Sequence, residues 1–158
     1  MSFQDYLSAL RRKATEIRIA TLKMISSAQS GAVGSALSAV EIMTALYYGQ
    51  MSAGSILKID PNNPNSEDQD YFILSKYQAA PVWYAILADL GYFSSDELNY
   101  FKAAGALLTA NPRSKIPGVP VASGSVGQGV ASAVGLAMAL KSDRHRNKVF
   151  VLAGDAEM

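Results

Sequence analysis

A continuous apolar run at residues 149–153, Val-Phe-Val-Leu-Ala, most constrains what this chain can fold into. Such a run is typical of a parallel strand covered on both faces, because a half-exposed strand alternates apolar and polar residues. A second short run at residues 71–74 is aromatic and branched and predicts another buried strand. Since parallel strands need long crossover connections, usually helices, the sequence predicts an α/β fold with a parallel sheet flanked by helices.

Helical segments fill much of the chain around these strands. Apolar residues recur three and four positions apart in the first segment, and serines or glycines bound the others. Ser38 is a predicted N-cap, with Glu41 three residues later closing a capping box. The predicted helices are residues 6–27, 39–49, 79–90, 94–103 and 127–141. Residues 30–35, 60–65 and 105–125 contain clusters of glycine, proline or asparagine and are predicted to be turns or loops.

Composition narrows the classes of function. The 158 residues have the length of one domain, and 14 Lys and Arg against 13 Asp and Glu give no electrostatic case for a nucleic acid or a membrane as partner. The absence of cysteine excludes disulfides, Cys-ligated zinc and thiol nucleophiles, and it fits the cytoplasmic location that we expect. His145 is the single histidine and lies in a polar connector, where we expect it to be solvated.

The end of the chain bears on the extent of the domain. Met158 lies five residues after Ala153, the last residue of the final predicted strand. A central parallel strand normally leads into a helix and further strands of the same sheet. We therefore expect residues 1–158 to be the N-terminal part of a larger domain.

Three short motifs carry candidate chemistry. Residues 124–129, Gly-Ser-Val-Gly-Gln-Gly, open a predicted helix and are either a phosphate site or a tight turn with close helix packing. Gly154 and Asp155 directly follow the apolar strand, where α/β proteins bind ligands, so Asp155 is either a Mg²⁺ ligand or a helix cap. Residues 75–78 follow the other strand, and a solvated turn is the favoured interpretation there.

In order and spacing, these pieces resemble transketolase over nearly the whole chain. Residues 30–38 are similar to the family's S-G-H-x-G-G-S-L-S, and residues 70–82 to D-R-F-I-L-S-K-G-H-A-A-P-A. Residues 123–130 are similar to T-G-S-L-G-Q-G-L, and residues 149–157 to V-x-L-x-G-D-G-E. Shorter matches lie at residues 58–64, 110–112 and 116–119. Several blocks in a fixed order are far more specific than any one of them.

The resemblance implies an incomplete thiamine diphosphate-binding (PP) domain of a transketolase-type transferase, which moves a two-carbon ketol unit between sugar phosphates. It implies that Asp155 binds Mg²⁺ (or Ca²⁺). It also implies six cofactor-binding positions: Gly124, Ser125, Val126, Gly127, Gly154 and Ala156. The family's second metal-binding side chain, an Asn, and its catalytic Glu fall beyond residue 158. The implied partner is a C-terminal subunit, from a split gene, or a C-terminal domain, within a homodimer or a heterotetramer.

The departures from the family pattern lie on the substrate side. Ala32, Gln78 and Asn111 stand where the family has three histidines, and Tyr77 and Ala156 replace glycines. Gln78 and Asn111 are the candidate catalytic residues. They can hydrogen-bond but cannot exchange a proton near neutral pH, and such proton transfer contributes about 10²–10⁴-fold per group. Three functions stay open: a transketolase N-terminal subunit or section, a non-catalytic relative, and an acyloin-forming enzyme similar to deoxyxylulose-phosphate synthase.

Overall fold

The computed structural model describes residues 2–52, 54–64 and 66–158, which form helices around a small parallel sheet. The α-helices in this part are α1 (Phe3–Ala28), α2 (Val33–Leu37), α3 (Val40–Tyr48), α4 (Ala80–Asp89) and α5 (Gln128–Ser142). The strands are β1 (Gln50–Met51), β2 (Gly54–Ser55), β3 (Tyr71–Leu74) and β4 (Val149–Leu152). Short 3₁₀ helices span Tyr77–Ala79, Ser95–Tyr100 and Asp155–Glu157.

The sheet that organises the fold is the parallel pair β3–β4. Tyr71 lies opposite Val149, and Leu74 lies opposite Leu152. The long crossover between the two strands contains α4 and α5, as parallel pairing requires. The predicted α/β fold with helices around a parallel sheet is therefore confirmed. β1 and β2 form a separate two-residue antiparallel pair that the sequence did not predict.

α1 shows how local sequence sets an element's limits. The Ser2 hydroxyl accepts a hydrogen bond from the Asp5 N–H, and the Asp5 carboxylate accepts one from the Ser2 N–H, both at 3.1 Å. This capping box satisfies N–H groups that otherwise lack a partner at a helix start. The helix therefore begins at Phe3, three residues before the predicted start, and Gln29 ends it with a φ of 47°.

The predicted cap of α3 is wrong. Ala39, not Ser38, precedes the helix, and no side chain caps it. The Ser38 hydroxyl instead donates to the Ser35 carbonyl at 3.0 Å and accepts from the Lys76 ammonium at 2.9 Å. Ser38 has these partners because the segment between α1 and α3 contains the short helix α2 and is not only a turn.

One further prediction needs adjustment. Within the segment predicted as a helix over residues 94–103, Ser95–Tyr100 form a 3₁₀ helix, and the Ser94 hydroxyl before it accepts from the Asp96 N–H at 3.3 Å. Residues 105–125 form turns without regular structure, as predicted. The predicted loop over residues 60–65 is also a turn as far as Pro64, and Asn65 lies outside the described residues.

The core lies on the α4 side of the sheet. Residues 80–88 are all buried. The Trp83 indole N–H donates to the Tyr47 hydroxyl at 2.6 Å, and Phe72 packs edge-to-face against both rings, with centroids 5.2 and 5.5 Å away. These aromatic contacts join α3, β3 and α4, and edge-to-face geometry suits the ring quadrupoles.

β4 and α5 form the outer part of the molecule. Val151 is 41% exposed, and the buried residues of α5 are Gly129 and Ala133. The prediction that residues 149–153 are covered on both faces is therefore wrong for the described chain, because nothing in it packs over the outer side of β4. No helix in the described part has the length and apolar character that crossing a bilayer requires.

Candidate functional site

The two strand exits meet at one edge of the sheet, which we call the carboxyl edge. Because β3 and β4 are parallel, Leu74 and Leu152 end side by side. The N–H groups of Ser75 and Lys76 both donate to the Leu152 carbonyl at 3.0 Å. Residues 75–78 and 154–157 are thereby held next to each other, where open α/β sheets bind ligands.

The glycine loop, residues 124–129, is fixed directly onto this edge. The Ser123 hydroxyl donates to the Leu74 carbonyl at 2.5 Å, and the Val130 N–H donates to the Ser75 hydroxyl at 3.2 Å. A Cβ on Gly129 would lie 2.6 Å from the Cα and Cβ of Ser75, so only glycine fits there. The close packing that the sequence left as an alternative is therefore present at Gly129.

Glu157 is the side chain that sequence reasoning missed. Its carboxylate accepts hydrogen bonds from the Ser75 hydroxyl at 2.7 Å, the Gly127 N–H at 2.9 Å and the Gly154 N–H at 2.7 Å. Partial desolvation alone would raise the pKa of the Glu157 carboxyl, but these three hydrogen bonds outweigh it and the pKa is lowered. The available sequence signal was the position of Glu157 at the end of the family-like motif at residues 149–157. That motif does not show which groups the Glu157 side chain contacts.

Glu157 also provides a hydrogen-bond acceptor at the start of α5. Gly127 precedes the helix with a φ of 78°, which favours glycine, and its N–H points to Glu157 rather than to open solvent. The Gly154 N–H also donates to Glu157. The cofactor contacts expected of Gly127 and Gly154 stay predictions, and both residues do lie at the carboxyl edge beside the rest of the glycine loop.

The three positions where the family pattern has histidines lie on segments around the same edge. Asn111 lies against the glycine loop, since a Cβ on Gly124 would be 2.7 Å from the Asn111 side-chain nitrogen. Gln78 is in the 3₁₀ helix after β3 and is partly buried. Ala32 directly precedes α2, which packs against that 3₁₀ helix. Asn111 therefore lies against the glycine loop and Gln78 lies shortly after the β3 exit, and their catalytic role stays a prediction.

Lys76 brings a positive charge to this edge. Its stem covers Gly154, where a Cβ would lie 3.7 Å from the Lys76 Cγ. Its ammonium donates to Ser38 at 2.9 Å and so connects the edge to the segment around α2. The turn at residues 75–78 is consequently more than a solvated connection, because Ser75 is fully buried and Lys76 has a tertiary partner.

Asp155 is the carboxylate at this edge that faces outward. It is exposed in the 3₁₀ helix after β4, whereas the Glu157 carboxylate is already occupied. Within residues 2–52, 54–64 and 66–158, no group of three His, Cys, Asp or Glu side chains could hold a metal. Mg²⁺ commonly takes one or two carboxylates and completes its shell with water and phosphate oxygens. A single exposed Asp155 fits that pattern.

The opposite, amino edge contains mainly structural contacts. The Asp70 carboxylate accepts from the N–H groups of Lys58 and Lys148 at 3.0 and 2.8 Å. The Asn147 side chain donates to the carbonyls of Glu67 and Gln69. His145 is exposed beside them, as predicted. The described residues at this edge include none of the glycine-loop or Gly-Asp motifs.

Comparison with known proteins decides the family. The family model described as "Transketolase, thiamine diphosphate binding domain" matches residues 10–157. The chain belongs to this family. The resemblance stated from the sequence is thereby confirmed, and the carboxyl edge is the part of this transketolase-type domain where the family-like motifs converge.

Individual relatives agree with this assignment. The chain is 36% identical over 149 residues to the 6-deoxy-6-sulfo-D-fructose transketolase subunit SqwG of Clostridium sp. (strain MSTE9), covering 94% of this chain and 52% of that protein. It is 36% identical to human transketolase over 156 residues, covering 98% of this chain and 24% of the enzyme. A crystal structure of Campylobacter jejuni transketolase superposes with a TM-score of 0.84 at 30% identity, covering 99% of this chain and 24% of that one. The chain thus spans about half or about a quarter of the relatives it matches.

Proposed function

We propose that this chain is the N-terminal, diphosphate-binding part of a transketolase-type enzyme that transfers a two-carbon ketol unit between sugar phosphates. The observation that carries the proposal is the convergence at the carboxyl edge. There the glycine loop, the β3 exit and the Gly-Asp turn after β4 lie together, joined by Ser75 and Glu157. Thiamine diphosphate supplies the electron sink for breaking and forming the carbon–carbon bond when it is bound.

The chain's own residues would hold the polar end of that cofactor. Asp155 would bind Mg²⁺ (or Ca²⁺), because it is an exposed oxygen ligand directly after a strand. Backbone groups around it and in the glycine loop would fix the diphosphate. The positions expected to do so are Gly124, Ser125, Val126, Gly127, Gly154 and Ala156. Because the N–H groups of Gly127 and Gly154 donate to Glu157, these two glycines would contribute a close backbone approach rather than a free N–H group. The remaining oxygen ligands would come from the diphosphate, from water and from residues outside this chain.

A partner completes the proposed enzyme. Two kinds of relative are named as subunits of larger enzymes. One is SqwG, and the other is a subunit of the apulose-4-phosphate transketolase from Actinobacillus succinogenes, which is 34% identical to this chain over 151 residues. By analogy, we propose a C-terminal subunit or domain that adds the pyrimidine-binding half, in a homodimer or a heterotetramer. The cytoplasm is the proposed location, and sugar phosphates are the proposed substrates.

The replaced histidines give a specific reason for a second candidate, a relative that binds the cofactor without ketol transfer. Ala32 has no polar side-chain atom, and Gln78 and Asn111 offer hydrogen bonds without proton exchange. An acyloin-forming enzyme with a different donor is the related alternative, since a changed substrate side would also change the products. In the ketol-transfer proposal, Gln78 and Asn111 orient the substrate rather than move protons.

The test is a product analysis with the partner present. The chain and its C-terminal partner are mixed with thiamine diphosphate, Mg²⁺, a ketose phosphate donor and an aldose phosphate acceptor. Ketol transfer that disappears in Asp155→Ala would support the proposal. Cofactor binding without turnover of any donor would establish the non-catalytic alternative, and a condensation product without transfer would establish the acyloin former. Glu97→Gln is the control for removing a carboxylate, because Glu97 lies on the 3₁₀ helix Ser95–Tyr100, outside the glycine loop and both strand exits.

A further inference from the structure

Glu157 joins segments that are far apart in sequence. It lies 82 residues after Ser75 and 30 residues after Gly127, yet one of its carboxylate oxygens, Oε1, contacts both. The other oxygen, Oε2, accepts from the Gly154 N–H, and the Glu157 N–H donates back to the Gly154 carbonyl at 3.1 Å. One side chain therefore connects the exits of both strands with the first residue before α5.

We propose that Glu157 is a positioning residue: its carboxylate holds the glycine loop and the Asp155 turn in the relative placement that a bound diphosphate requires. This inference rests on the proposed function, because it assigns Glu157 a task in the same site. Glu157 need not touch the cofactor to perform it. It acts through Gly127, which lies in the glycine loop, and through Gly154, which directly precedes the turn that carries Asp155.

The chemistry of the three donors explains why a carboxylate is needed. Two backbone N–H groups and one hydroxyl converge on Glu157, and an ionised carboxylate offers acceptors on both oxygens. A glutamine offers one carbonyl oxygen and one NH₂ group. In either orientation of that amide, the NH₂ faces a backbone N–H of Gly127 or Gly154, so one donor loses its acceptor. The isosteric change Glu157→Gln therefore breaks the bridge at Gly127 or at Gly154 while keeping the shape of the side chain.

In a competing arrangement, the Glu157 carboxylate only accepts hydrogen bonds from the Gly127 and Gly154 N–H groups until a diphosphate displaces it. Two contacts favour a lasting bridge instead. The glycine loop is already held by Ser123 on the Leu74 carbonyl and by the tight contact of Gly129 with Ser75. Glu157 also ends the same 3₁₀ turn that carries Asp155, so moving Glu157 away would displace the proposed metal ligand.

The first readout needs no cofactor. Hydrogen exchange is measured on the full chain, wild type and Glu157→Gln, at the amides of Gly127 and Gly154. We expect exchange at Gly127, at Gly154 or at both to become about tenfold faster or more, because a part-buried N–H that loses its acceptor opens more readily. Amides of α1 should not change, which separates a local effect from general unfolding. Glu97→Gln is the matched control and should exchange like the wild type throughout.

The second readout is the affinity for thiamine diphosphate in the presence of Mg²⁺ and the C-terminal partner, measured by calorimetry on the same proteins. We expect Glu157→Gln to weaken binding about tenfold, and Ser75→Ala to weaken it less. Because both changes disrupt one bridge, Ser75→Ala should have a smaller additional effect in the Glu157→Gln background than alone. If Glu157→Gln binds as tightly as the wild type, or more tightly, the positioning role is overturned and displacement is favoured.

The two readouts separate the inference from the proposed function. A wild-type protein that does not bind thiamine diphosphate even with its C-terminal partner present would overturn the proposed function and, with it, the cofactor task of Glu157. Exchange rates that are equal in the wild type and in Glu157→Gln at both Gly127 and Gly154 would overturn the bridge itself, whatever the cofactor does. If Glu157→Gln fails to fold, Ser75→Ala decides: an affinity for thiamine diphosphate equal to that of the wild type would contradict the proposal.

Discussion

α4 and α5 both begin near the carboxyl edge and both consist largely of apolar and small residues, yet α4 is buried and α5 is largely exposed. Residues 80–88 of α4 are buried without exception. In α5 the buried residues are Gly129 and Ala133, and Met138 is 68% exposed. Apolar content therefore shows that a helix is able to be buried, whereas the neighbouring elements decide whether it is.

The contacts of the two helices explain the difference. α4 packs against α1 and α3, and through Trp83 and Phe72 against β3. α5 contacts β3 and β4, and its tightest fit is at its first turn, where Gly129 meets Ser75. Residues 80–88 of α4 are thus all part of the core, while α5 packs closely mainly at its first turn, next to the glycine loop.

The largest expected effect in this comparison comes from Trp83→Ala in α4. The change removes a fully buried ring and leaves the Tyr47 hydroxyl without its indole donor, so the free energy of unfolding should fall by about 3–5 kcal/mol. Urea denaturation followed by circular dichroism measures it. Trp83→Phe, which keeps an aromatic ring, should lose less, and a loss below about 1 kcal/mol for Trp83→Ala would contradict the central place of α4 in the core.

Gly129→Ala should have the next largest effect. Its new methyl group has no room against the Cα and Cβ of Ser75, so overpacking should lower the free energy of unfolding by about 1–3 kcal/mol. The same denaturation experiment applies. The strain falls on the glycine loop, so we also expect weaker binding of thiamine diphosphate. A variant as stable as the wild type would show that α5 can shift away from Ser75 freely.

Gly135→Ala is the matched change on the outer face of the same helix. A Cβ there meets no atom within 4 Å, and alanine is favoured over glycine in a helix interior. The free energy of unfolding should therefore rise by about 0.5–1 kcal/mol. Destabilisation by Gly135→Ala would mean that another part of the protein packs closely on this face in solution.

The smallest expected effect is that of Met138→Gln. The side chain is largely exposed, so replacing it with a polar one of similar length should change the unfolding free energy by no more than about 0.5 kcal/mol. Sedimentation of the same variant and of the wild type measures, in addition, whether the change alters the molecular mass of the protein in solution. A large loss of stability, or a change in molecular mass, would show that Met138 is covered by a partner.

The sequence predicted the elements that local patterns determine. The runs at residues 71–74 and 149–153 are adjacent parallel strands, and the apolar spacing of the first segment produces α1. The motifs at Ser75 and Gly154 were placed at strand exits by a general rule for α/β sheets, whereas only the family resemblance associated the Gly124 motif with the same site. These features follow from periodicity and topology, which a single sequence contains.

The remaining features depend on contacts between distant residues. Ser38 was a reasonable cap by type, but its hydroxyl is taken by Ser35 and Lys76. Glu157 bridges to Ser75 and Gly127, and no local pattern indicates which carboxylate will find such donors. The exposure of α5 likewise depends on what packs over it rather than on its composition. Such features are tertiary, and they needed the structure.

The most direct test of the carboxyl edge as the cofactor site is a map of backbone protection. With the C-terminal partner present throughout, hydrogen exchange is recorded for the wild type with and without thiamine diphosphate and Mg²⁺, and again for Asp155→Asn. We predict slower exchange at residues 124–130 and 154–157 on addition of the cofactor, no change at residues 144–148 on the amino edge, and loss of the protection in Asp155→Asn. Protection at the amino edge, or none at the glycine loop, would contradict the assignment of this site.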